Sequence, residues 1–118
     1  MSIADIPQHA AINRLPDRLL ENIVRLINPR RVILFGSRAR GDARENSDWD
    51  VMIVVDDDTR QEQVNWKVMG EVRRGVRAPL GLIPYRESTF RERQKVEGSL
   101  PWRAATEGLV VYERPDSA

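Results

Sequence analysis

Asp48 and Asp50 stand one residue apart at the head of the run Ser47-Asp48-Trp49-Asp50-Val51-Met52-Ile53-Val54-Val55. In extended backbone, residues two apart share a face, so carboxylates at this spacing can hold one or two hard cations between them. Oxygen ligands without nitrogen or sulfur favour Mg²⁺, which completes its shell with water and substrate phosphates. The phosphate half lies just upstream. Gly36-Ser37 ends the apolar run Val32-Ile33-Leu34-Phe35; there glycine permits close backbone approach, and backbone amides with the Ser37 hydroxyl can hydrogen-bond phosphate oxygens. Arg38 and Arg40 stand beside it, suited either to direct phosphate contact or to tying the turn to Asp42, Glu45 or a helix end.

The elements that must position these residues follow from hydrophobic period. Leu15, Leu19, Leu20, Ile23, Val24 and Ile27 have helical spacing; Pro16 and Asp17 suit a first turn, and Asn28-Pro29 stops the helix. Val32 to Phe35 fits a strand buried on both faces. After a polar loop at 42–46, alternation puts Trp49, Val51, Ile53 and Val55 on one side and Asp48, Asp50, Met52 and Val54 on the other. Asp56, Asp57 and Asp58 end that strand, where capping of the next helix or solvation explains them better than a metal. A helix is expected from Arg60 to Arg77, with Val64, Val68, Met69, Val72 and Val76 as its stripe and Trp66 at the margin. Arg73, Arg74 and Arg77 favour its C-terminal dipole. Pro79 and Pro84 with Gly81 mark an edge or irregular strand over 78–85. A helix over Thr89 to Val96, another from Pro101 through Glu107, and a strand at Leu109 to Tyr112 complete the order.

That alternation predicts an α/β (α+β) domain, a mixed β-sheet flanked by helices, over residues 15–113, with an N-terminal extension at 1–14 and a polar tail at 114–118. A chain of 118 residues fits one core. It has no cysteine and a single histidine, His9, which excludes disulfides, thiolate zinc sites, histidine metal sites and a histidine-based triad. A net charge of +1 gives no general reason to bind nucleic acid or membrane, so binding must be local. Neither a membrane span nor a signal core is visible, and the expected location is the cytoplasm.

Gly36-Ser37, ten intervening residues, and Asp48-Trp49-Asp50, preceded by an apolar strand and enclosing Arg-Ala-Arg-Gly, resemble the signature of the polymerase-β-type nucleotidyltransferase superfamily. The chain is most similar to the minimal nucleotidyltransferases (MNT), over roughly Leu15 to Glu113. The resemblance implies MgATP at the motif and transfer of a nucleoside monophosphate, AMP, to an acceptor hydroxyl. Gly36 and Ser37 would hold the triphosphate, and Asp48 and Asp50 the catalytic metal. It also implies an antitoxin acting on a separate HEPN-type toxin, whether or not copies of the chain also assemble.

One departure stands out. The family places a further carboxylate on the third strand, where it completes the metal site and helps deprotonate the attacking hydroxyl. Here the run reads Pro79-Leu80-Gly81-Leu82-Ile83, with Leu80, or Gly81 in a shifted register, in that place. Loss of a positioned base costs about 10²- to 10⁴-fold in rate, while nucleotide binding need not fail. Two functions therefore stand side by side: an active transferase, and a nucleotide-binding antitoxin that neutralises its partner by complex formation.

Overall fold

The computed structural model describes residues 15–115, so the expected extension at 1–14 and the last residues of the tail lie outside the described residues. Helix α1 spans Leu19–Ile27 and is followed by β1 (Arg31–Phe35), the short α2 (Ser37–Arg40) and β2 (Trp49–Val55). Then come a 3₁₀ turn at Gln61–Gln63, α3 (Trp66–Arg73), β3 (Leu80–Arg86), α4 (Glu87–Arg93), α5 (Leu100–Glu107) and β4 (Leu109–Glu113). The strands form one mixed sheet in the order β3-β2-β1-β4, with β1 antiparallel to β2 and β4, and β3 parallel to β2.

The alternation read from sequence divides the core into two layers. Val32, Leu34, Val51, Ile53 and Val55 face α1 and α3, where Leu19, Leu20, Ile23, Ile27 and Val72 are buried against them. Ile33, Phe35, Met52 and Val54 face the opposite layer, made by Phe90 of α4 and Ala104 of α5. Both central strands are thus buried on both faces, as a continuous apolar run requires. A register shift opposite Val32 and Ile33 puts Val111 and Tyr112 of β4 in the same core layer. The proline-bearing β3 is an edge strand, where the missing Pro84 amide breaks no ladder bond on its outer side.

Several boundaries differ from the sequence expectation. The helix expected from Leu15 begins at Leu19, because Arg18 takes a left-handed conformation, with φ of 72°. The single helix expected over 60–77 is interrupted: the Asn65 side chain accepts the Val68 amide at 3.1 Å and starts a new helix there. It ends at Arg73, where Arg74 is extended and Gly75 has φ of 79°. The aspartate run does not cap this helix. Asp57 Oδ1 instead accepts the Ser88 amide at 2.9 Å at the start of α4, 31 residues on, while Asp56 pairs with Arg30 and Arg114. Arg114, the first residue of the expected tail, is therefore held against the domain.

Buried Asn22 joins the two helices of one layer. Its amide donates to the carbonyls of Val72 at 2.9 Å and Arg74 at 3.3 Å, satisfying acceptors at the C-terminal end of α3. At the far end of the sheet from Asp50, Glu87 receives Arg31 at 2.8 Å and Arg91 at 3.0 Å.

Candidate functional site

Antiparallel pairing sets Phe35 opposite Asp50, so the chain leaves β1 at Gly36 beside the aspartate that opens β2. The parallel partner of Asp50 is Gly81. Asp50 is therefore flanked on both sides by glycines, each for a reason of space. A Cβ at Gly36 would collide with Asp50 Oδ2 and lie 3.2 Å from its Cγ. One at Gly81 would stand 3.0 Å from Oδ1. Gly36 also has φ of 77° and ψ of −159°, a region essentially confined to glycine.

Beyond Gly36 the chain makes the single turn of α2, with the amides of Ala39 and Arg40 both reaching the Gly36 carbonyl at 3.0 Å. The amides of Ser37 and Arg38, in the first turn, have no intrahelical acceptor. Asp48 is exposed just before β2, and the Trp49 amide donates to the Pro79 carbonyl at 2.9 Å, which fixes the start of β3 beside the aspartate pair.

The arginines are committed differently. Arg38 donates to the carbonyls of Glu45 at 3.1 Å and Ser47 at 3.0 Å, with its guanidinium 4.5 Å from the centre of the Trp49 ring. It thereby laces down the loop that delivers Asp48. Arg40 is paired with Asp42 at 3.2 Å and with Glu107 of α5 at 3.0 Å, and both carboxylates push its pKa further up. Burial pushes the Asp50 carboxyl up, and the Asp48 charge acts in the same direction, as does Glu107; Arg103 and Arg40 oppose them. An aspartate raised by a second aspartate is a pair that a cation would relieve.

Among the described residues no cluster of three or more His, Cys, Asp or Glu can hold a metal. Two carboxylates nevertheless suit Mg²⁺, which takes its remaining ligands from water and phosphate. The departure on the third strand is also resolved. Leu80 and Leu82 pack into the α1/α3 core layer, whereas Ile83 joins the opposite layer with Met52. The position facing Asp50 is Gly81, not Leu80. Glu87 and Asp56 to Asp58 stand at the other end of β2 and β3, about 20 Å away along a strand, and supply no replacement acid.

Residues 18–117 match the family model of polymerase β nucleotidyltransferases. The chain belongs to this family. A search of the curated proteins finds no match. Among solved structures, the fold is similar to a chain of a toxin–antitoxin crystallised with AMP-PNP, at 19% identity and a TM-score of 0.57, covering 86% of this chain and 76% of that one. It is also similar to a Sulfolobus solfataricus protein provisionally named a nucleotidyltransferase, at 23% identity and a TM-score of 0.54, covering 98% and 92%. At these identities the likeness is one of fold.

Arg103 and Glu107 of α5 were missed in the sequence. They lie more than 50 residues after Asp50, and their only local signal, four-residue spacing on a helix, is that of an ordinary surface pair. The packing of Ala104 against the sheet brings them to the site. Among the described residues no helix is long and apolar enough to cross a membrane.

Proposed function

We propose that this chain binds MgATP at Gly36, Ser37, Asp48 and Asp50 and transfers AMP to a hydroxyl of a partner protein, a HEPN-type toxin that it counteracts as an antitoxin in the cytoplasm. The observation that carries this is the junction of Gly36 with Asp50: residues from the ends of the two central strands, one suited to phosphate and one to metal, stand in contact at one end of the sheet. Asp48 and Asp50 would hold the Mg²⁺, which when bound offsets phosphate charge. Gly36 gives the phosphate chain access to backbone amides, the Ser37 hydroxyl adds a donor, and Arg38 and Arg40 supply positive charge beside them. The acceptor oxygen bonds to the α-phosphorus as the bond to the bridging oxygen breaks, pyrophosphate leaves and the hydroxyl proton is released. Family membership and the likeness to a toxin–antitoxin chain support the partner assignment.

Incubation with α-labelled ATP, Mg²⁺ and the product of the neighbouring gene tests it. Label should appear on that product and disappear with Asp48→Ala or Asp50→Ala. A second reading is favoured by Gly81: with glycine where the third acid would face Asp50, the chain would bind nucleotide and neutralise its partner by covering it. No label, together with a tight complex that survives both substitutions, selects that reading.

A further inference from the structure

Four arginines reach this end of the sheet, Arg38, Arg40, Arg103 and Arg73, the last already donating to the Leu80 carbonyl at 3.0 Å, and hydrogen bonding distinguishes them. Arg38 is committed to two loop carbonyls and Arg40 to two carboxylates. Arg103 has no hydrogen-bonded acceptor for its guanidinium among the described residues; its contact with Glu107 is an ion pair at 3.6 Å, too long for a hydrogen bond. The side chain is 42% exposed. Its carbon stem is nonetheless placed: α5 is capped by Ser99, whose side chain accepts the Trp102 amide at 3.2 Å, and is seated by buried Ala104. The guanidinium lies 5.8 Å from the centre of the Phe35 ring. Phe35 is the residue before Gly36 and the register partner of Asp50, so a planar cation with unused donors overhangs the turn assigned to phosphate.

We propose that Arg103 is a phosphate-binding residue of this site, held with Arg40 on either side of Glu107 and reaching the phosphate chain of the nucleotide from the α5 wall. Resting on the nucleotide assignment above, this names the cation that takes the phosphates where Arg38 and Arg40 are already engaged. Glu107 supports the arrangement. It binds Arg40 through Oε2 at 3.0 Å, while its buried Oε1 accepts no hydrogen bond. A weakly held guanidinium beside an unsatisfied carboxylate oxygen can turn toward an incoming anion without breaking a hydrogen bond of its own. Arginine suits this role because its fork of donors matches phosphate oxygens bidentately.

The test is calorimetric titration of MgATP into the full chain and into Arg103→Met, which keeps the stem over Phe35. Affinity should fall about tenfold or more, the loss expected for a charge-assisted hydrogen bond, and Arg103→Lys should recover part of it. In the unmodified chain, MgATP should protect Arg103 from phenylglyoxal, a measurement that does not depend on the variant folding. Unchanged or tighter affinity in a folded Arg103→Met, or full modification of Arg103 at saturating MgATP, overturns the proposal and leaves nucleotide binding intact. Absence of MgATP binding to the unmodified chain overturns the nucleotide assignment as well.

Discussion

Gly36→Ala separates two demands that the site makes on one residue. The first is conformational: at φ of 77° and ψ of −159° a side chain costs about 1–3 kcal/mol. The second is spatial: the added methyl would collide with Asp50 Oδ2 and come within 3.2 Å of Cγ, but only within 3.4 Å of Cβ, an ordinary contact. Overpacking of this kind costs about 1–3 kcal/mol. Gly36→Ala alone should therefore lower stability by about 2–6 kcal/mol. In an Asp50→Ala background the colliding atoms are gone, and the same substitution should cost only the conformational part. The coupling between the two sites should thus be about 1–3 kcal/mol, read from urea denaturation of the four proteins at neutral pH. Equal costs of Gly36→Ala in both backgrounds would refute the close packing of glycine on the carboxylate.

The register yields a paired test of the third strand: Gly81→Asp faces Asp50 and should raise label transfer by about tenfold or more if only a base is lacking. Leu80→Asp, pointing into the α1/α3 layer, should give no gain and cost about 2–4 kcal/mol in denaturant titration; a gain from Leu80→Asp would show that the register is wrong. The Asp50 pKa lies above its unfolded value, mainly through burial, so the folded state is favoured while the group is protonated and penalised as pH rises through the folded pKa. Asp50→Asn should accordingly raise Tm at pH 7, with the gain shrinking as pH falls toward about 4, and a Tm difference independent of pH would count against it. Asp56 is shifted the other way by its hydrogen bonds from Arg114 and Arg30, which outweigh burial. It contributes stability above the ordinary aspartate pKa of about 4 that is lost as pH falls through its lowered folded value. Acid unfolding profiles should be flatter in Asp56→Asn than in the native chain, and parallel profiles would remove this ion pair from the account.

What the sequence determined by itself was the part carried by short-range pattern. A period of two fixed which side chains of β2 share a face, so the orientation of Asp50 with Met52 and Val54 was legible from spacing alone. The apolar run ending in Gly36-Ser37 marked the turn in another way, since a short continuous apolar run closed by glycine fits a strand buried on both faces. Proline and glycine likewise marked β3 as an edge, because a missing amide is tolerated only where no neighbouring strand needs it. Local competition was harder to read: Asn65 breaks the expected long helix by capping a new one, a choice between two backbone partners of similar energy.

The tertiary structure alone decided what meets what. Whether Leu80 or Gly81 faces Asp50 depends on the pairing of β2 with β3, and a shift of one residue exchanges the faces. That pairing turned a question about a missing acid into a definite glycine. Strand direction likewise puts the acidic run at 56–58 and Glu87 at the opposite end of β2 and β3, away from Asp50. Arg103 and Glu107 reach the site because helix α5 must bury Ala104 against the sheet, a long-range demand of packing that no local spacing records.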